Sequence, residues 1–335
     1  RLKAGSLSEL QKFLLEGLPV RGMLVRLTDS WQEILRRRAG NPGLGTYPPP
    51  VRDLLGEMAA AAVLMQGNIK FNGALVLQVF GDGPVKVAVA EVQSSLGLRA
   101  TASLQGVVAP DATLSQMLNL HGTGRCAITL DPQDRLPGQQ PYQGVVPLHG
   151  DHGEPLESLA QVLEHYMLQS EQLDTTLVLA ADATMAAGLL IQRLPVHGEG
   201  NLAGSDAARQ HNEDAIGRNE DYRRIAILAK SLQRKELLTL DADTILHRLF
   251  WEEPVQRFEP LVGEGGPHFA CTCSRERVAR MVQGLGRDEV ESLLAERGQI
   301  EVGCDFCGQQ YHFDPVDAAL LFQAPVTPNP GRRLH

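Results

Sequence analysis

Four of the five cysteines in this chain fall into two tight pairs near its C-terminal end, Cys271-Thr272-Cys273 and Cys304-Asp305-Phe306-Cys307. About 30 residues separate the pairs, room for two short helices that fold the chain back on itself. Two close thiol pairs joined by a folded-back loop are how four sulfurs reach one tetrahedral zinc ion. Gly303 and Gly308 bracket the second pair, as a turn requires. One Zn2+ per chain is therefore expected, with Cys271, Cys273, Cys304 and Cys307 as its ligands. Ser274 reads as the cap of a helix through Val278, Met281 and Val282 that Gly284 and Gly286 end. Asp288 and Glu291 read as the capping box of a second helix carrying Val290, Leu293 and Leu294, closed by Gly298. Asp314-Pro315 opens a last helix. A module of under about 50 residues with so few large apolar groups cannot stand on its own core. Zinc contributes roughly 10–16 kcal/mol in comparable small sites, so this module should melt when the metal leaves.

The chain has 335 residues, 43% of them hydrophobic, enough for at least two domains. A net charge of -9 argues against general affinity for nucleic acid or anionic membrane. The longest apolar run, Met58 to Met65, is far short of the roughly 18 residues of a membrane-spanning helix. Five cysteines, an odd number, do not suit a simple disulfide framework. Close thiol pairs with no cationic, apolar leader fit a reducing compartment, so a cytoplasmic location is expected.

In chain order, Leu7 to Glu16 reads as a helix, Met23 to Thr28 as a strand and Ser30 to Arg38 as a helix. Pro50 opens a strong helix with Val51, Leu54, Leu55, Met58, Ala62 and Met65 on one side. Strands follow at 74–80 and 85–92, joined by Gly81-Asp82-Gly83-Pro84, then at 98–104, 126–130 and 142–146. A helix at 156–170 and strands at 175–180 and 188–194 complete an α/β (α+β) domain over 1–196. Hairpins outnumber helical crossovers, so its sheet should be largely antiparallel.

From 197 to 267 the reading is a metastable linker. Residues 197–221 are polar and should be mobile. Helical periodicity then returns with Ile225, Leu228 and Leu232, followed by Leu237 and Leu238. Asp241 or Asp243 caps a helix bearing Ile245, Leu246, Leu249, Phe250 and Trp251, and 254–267 is an extended connector. Short apolar stripes flanked by charge are marginal alone in water and must lie on something. The metal module occupies 268–323, and the proline-rich tail 324–335 should be disordered.

These residues carry a resemblance. The Cys-x-Cys and Cys-x-x-Cys spacing resembles that of the thirty-three-kilodalton heat-shock proteins, redox-regulated holdase chaperones of bacteria and some organelles. So do Tyr47 to Ala62 (YPPPVRDLLGEMAAAA), Gly81 to Pro84, Tyr142 to Val146, His165 to Leu173 and Cys271 to Arg277 (CTCSRER). The resemblance implies an ATP-independent chaperone that is inactive when reduced and zinc-bound. It implies oxidation to two disulfides, Cys271–Cys273 and Cys304–Cys307, release of zinc, and unfolding of switch and linker. It further implies homodimerisation on activation and binding of unfolding client proteins. The linker's Ile225, Leu228, Leu232, Leu237, Leu238, Ile245, Leu246, Leu249, Phe250 and Trp251 are the client-binding candidates. The chemistry is compatible: metal-held thiolates are the forms that peroxide attacks, and each pair supplies its own resolving sulfur.

Other classes compare less well. A permanent structural zinc knob fits the spacing alone. An enzyme is disfavoured, because four thiolates leave zinc no open position and no nucleotide loop or serine elbow occurs. A nucleic-acid-binding ribbon calls for a basic face, whereas Glu289, Glu291, Glu296, Glu301 and Asp305 make the module mixed to acidic. Cys126 alternates with Ile128 and Leu130 and reads as an inert buried thiol. His268 and His312 flank the cysteines without being needed as ligands.

Overall fold

The computed structural model describes residues 6–194 and 220–323. The most continuous apolar stretch forms α2 (Pro49–Asn68), opened by two prolines whose fixed backbone suits a first helical turn. Met58 to Met65 are buried on every side, as expected of a helix apolar all round. It touches two different sheets, which accounts for that burial. Gly56 permits the approach: a Cβ there would fall 2.4 Å from the Ala181 Cβ.

The first sheet runs β10–β1–β2–β9–β8, with β11 continuing along β1. Its strands are β1 (Glu9–Leu15), β2 (Val20–Leu27), β8 (Thr175–Ala181), β9 (Ala186–Arg193), β10 (Val255–Arg257) and β11 (Leu261–Val262). The second runs β12–β5–β4–β3–β6–β7. It comprises β3 (Gly73–Phe80), β4 (Val85–Gln93), β5 (Gly97–Leu104), β6 (Arg125–Pro132), β7 (Tyr142–Pro147) and β12 (His268–Phe269). Among the described residues only β12 with β5 pairs in parallel, so the antiparallel α/β expectation holds, distributed over two sheets. α1 (Asp29–Ala39), α3 (Leu114–Leu118) and α4 (Leu159–Glu171) complete this part.

The helix expected at Leu7 to Glu16 is instead strand β1, paired to β2 from Glu9↔Arg26 to Leu15↔Val20. Leu10 joins the core beneath α2, while Phe13 and Leu15 join a separate core on the opposite face. A strand buried on both faces has no polar alternation, and its spacing then passes for a helical period.

That opposite face is covered by α5 (Glu220–Lys230), α6 (Arg234–Thr239) and α7 (Ala242–Phe250). Their apolar stripes meet Phe13, Leu15, Val20, Leu24, Leu189 and Ile191. Gly22 leaves room for the Phe13 ring, whose atoms would lie 2.1 Å from a Cβ at that position. Asp241 caps α7 by accepting the Thr244 N–H at 2.8 Å. Of the polar stretch 197–221, only Glu220 and Asp221 fall within the described residues, as the start of α5; the tail after Gln323 lies outside them.

The chain divides into two compact units, the first ending at Ala270 and the second beginning at Cys271. The second contains α8 (Arg275–Gly284), α9 (Arg287–Arg297), the hairpin β13 (Ile300–Gly303) and β14 (Gln310–Phe313), and α10 (Pro315–Leu321). Its buried core is Val282, Val290, Ile300, Phe313 and Ala318. Ser274 caps α8 and Asp314 caps α10 as expected. α9 begins two residues earlier than Asp288 implies: its cap is Gly286, at φ +92°, a conformation that glycine reaches without strain. No helix among the described residues is long and apolar enough to cross a membrane.

Candidate metal centre

β13 and β14 pair from Ile300↔Phe313 to Gly303↔Gln310, and residues 304–309 make the turn between them. Cys304 donates its N–H to the Gln309 carbonyl at 2.9 Å, and Gly308 donates to the Cys304 carbonyl at 2.8 Å. Gly308 takes φ +77°, which favours glycine there. This knuckle turns Cys304 and Cys307 to the same side. The other pair precedes α8, where Arg277 Nη1 donates to the Thr272 carbonyl at 2.9 Å and to its hydroxyl at 2.8 Å. That contact ties Thr272, between the two cysteines, to the first turn of α8.

The four sulfurs lie within 4.8 Å of one another, all half-buried. Cys271 and Cys304 approach to 3.7 Å, Cys273 and Cys307 to 3.4 Å. A tetrahedral thiolate site with metal–sulfur bonds of about 2.3 Å has sulfur–sulfur edges of about 3.8 Å. The donor set therefore fits a single soft ion, and the four cysteines can hold one. Tyr311 donates its hydroxyl hydrogen to the Cys273 sulfur at 3.1 Å.

As thiols the four crowd one another. The Cys304 thiol is pushed up by its hydrogen bond with Cys271 and by burial, and Cys307 is pushed up mainly by burial. A central cation reverses this by stabilising thiolates directly. Among the described residues no other His, Cys, Asp or Glu group gathers so closely. His312 is exposed, with Nδ1 3.6 Å from Glu301, and His268 Nδ1 lies 2.9 Å from the Gly266 carbonyl. Cys126 is 0% exposed in the second sheet, its thiol pushed up to about 12 by burial, a form with little reactivity.

Of the linker residues singled out from the sequence, Ile225, Leu232, Leu237, Ile245, Leu246, Leu249 and Phe250 are buried on the first sheet. Leu228 and Leu238 are half-buried against the same cluster, and Trp251 is 68% exposed. Sequence reasoning missed the surface beneath them, on β1, β2 and β9. The signal was present: the β9 stretch AAGLLIQR is apolar without alternation, the mark of a strand covered on both faces.

Fold and site together define a class: a mixed α/β protein of two compact units, the smaller gathering four cysteines into a metal-type centre. The chain matches the family model described as "Hsp33 protein" over residues 8–314. It belongs to the Hsp33 family of heat-shock chaperones. The 33 kDa chaperonin of Chromobacterium violaceum is 44% identical over 319 residues, covering 95% of both chains. That of Shewanella woodyi is 38% identical and covers 96% of this chain and 99% of its own. The crystal structure of the 33 kDa chaperonin from Thermotoga maritima aligns with TM-score 0.67 at 20% identity over 93% of this chain and 97% of that one, a likeness of fold.

Proposed function

We propose that this chain is a thiol-switched, ATP-independent holdase that lacks enzymatic activity and acts in the cytoplasm. The observation that carries the reading is an oxidisable four-thiol centre in a unit whose buried core, among the described residues, is only five side chains. Cys271, Cys273, Cys304 and Cys307 are proposed as ligands of one zinc ion. Bound zinc holds the sulfurs as thiolates and supplies the folding free energy that so small a core lacks.

Oxidation acts on the sulfurs. In each of the pairs Cys271–Cys273 and Cys304–Cys307, one sulfur attacks peroxide and its neighbour displaces the resulting sulfenic oxygen. Each pair gives up two electrons as its disulfide forms, and one hydrogen peroxide, taking up two protons, is reduced to two waters. Two disulfides leave no thiolate to hold a cation, and the unit from Cys271 onward loses its fold. The proposed linker, 197–267, runs directly into this unit along the chain. Loosening at His268–Phe269 frees it from β5, and α5–α7 then lift from the first sheet. Both apolar surfaces become available to unfolding clients, and two activated chains pair through the same surfaces as a homodimer. Residues 1–196 remain as the folded core, and 268–323 act as the switch.

The test follows metal release with a metallochromic dye during peroxide treatment while aggregation of a denatured client is monitored. One zinc per chain should leave in step with the gain of aggregation suppression. Retention of metal by a fully active sample, or full activity before peroxide, refutes the reading.

A further inference from the structure

Arg26 lies in β2, in register between Glu9 of β1 and Ala187 of β9. Alternation sets it on the same sheet face as Val20 and Leu24, the face that α5–α7 cover. Its side chain is 2% exposed. Nε is 3.7 Å from the Glu9 Oε1, while Nη1 and Nη2 have no hydrogen-bond partner among the described residues. The other charge facing it, Asp241, comes from the linker, as does Asp243 beside Glu9. Asp241 already accepts the Thr244 N–H as the cap of α7, and Asp243 is engaged by Arg257 at 2.5 Å. With Glu9, these carboxylates give the surroundings a negative bias that excludes a bound anion as the missing partner.

A guanidinium in this position has surrendered the hydration of its terminal N–H groups for one loose ion pair. Such an exchange is unfavourable, because buried donors without acceptors keep their full desolvation cost. The cost exists only while the linker helices are seated. When α7 lifts, Asp241 goes with it and water reaches Arg26 and Glu9 together. We propose that Arg26 is a release element: an under-bonded cation sealed beneath the docked linker that biases α5–α7 toward lifting. This rests on the reading above that those helices leave the sheet. The buried apolar stripes hold the cover down, and Arg26 keeps it near the point of opening.

The experiment is amide hydrogen exchange on the full-length, reduced, zinc-loaded chain, comparing wild type with Arg26→Met. Met has a similar length and needs no acceptor. Because that change strands Glu9, the double variant Glu9→Gln/Arg26→Met is measured beside it. Exchange across residues 220–250 should slow roughly tenfold or more in the double variant, with activation by a fixed peroxide dose correspondingly slower. Exchange in β3–β6 should not change. Unchanged or faster exchange across 220–250 in both variants overturns the proposal and makes Arg26 an ordinary anchor. Wild type stripped of zinc by a chelator is the separate control. If its 220–250 exchange does not rise, the switch reading fails, whereas the Arg26 comparison, made only on metal-loaded protein, stands by itself.

Discussion

Phe250→Ala isolates the clamp that holds the linker down. The ring is 1% exposed and lies 5.9 Å from the ring of Phe13 in β1, tilted by 43°. Removing a buried Phe side chain costs about 3–5 kcal/mol, of which an aromatic pair of this geometry supplies about 0.5–1.5 kcal/mol. The loss falls on the docking of α7 rather than on the core around α2, because Phe250 and Phe13 belong to a cluster separate from it. At about 1.4 kcal/mol per tenfold, opening becomes roughly 100- to several-thousand-fold more frequent. The assay is hydrogen exchange on reduced, zinc-loaded protein, with aggregation suppression measured on the same sample. Protection across 220–250 should fall by that factor while β3–β6 stay protected, and some suppression should appear without oxidant. Undiminished protection across 220–250 refutes the idea that this ring anchors the linker. Equal losses in β3–β6 refute the separability of cover and core.

Cys304→Ser should abolish stoichiometric zinc binding in a dye assay and unfold residues 271–323, seen as loss of exchange protection confined to that unit. A chain ending at Val196 should still unfold cooperatively. It should also self-associate and bind a hydrophobic dye, because Phe13, Leu15, Val20, Leu24, Leu189 and Ile191 lose their cover; a monomer without dye binding counts against this. Glu57 on α2 should show in the pH profile: burial pushes its carboxyl from 4.5 to about 7, with Arg234 opposing and Asp53 reinforcing the shift. A value raised on folding contributes stability that is complete below about 4.5 and lost as pH rises through about 7. Glu57→Gln should therefore flatten the fall in unfolding free energy over that window, by at most about 3 kcal/mol, and parallel profiles for the two proteins would contradict the assignment.

Much of the candidate site was legible because its signals are local. Thiol spacing, the glycines of the knuckle and the capping residues Ser274 and Asp314 each act over a few positions. What was misread depends on partners distant in sequence or on backbone conformation that residue type does not declare. β1 passed for a helix because its apolar residues serve two faces, one toward α2 and one toward residues more than 200 positions later. The α9 cap was misplaced because an acidic residue three before another resembles a capping box, whereas Gly286 supplies a left-handed entry that residue type alone does not reveal. Arg26 is buried inside the strand expected at Met23 to Thr28, and nothing local in the sequence marks that burial.

The sequence alone determined that four thiols can converge on one ion, that the fold is mixed α/β, and that the helices after Tyr222 need something to lie on. Those properties follow from spacing and periodicity, which neighbouring residues set among themselves. Only the tertiary structure decided what the helices lie on, and that a charged side chain is sealed beneath them. Both depend on which strand pairs with which, and strand pairing is settled by burying two faces of one sheet at once, an energy that no single segment carries.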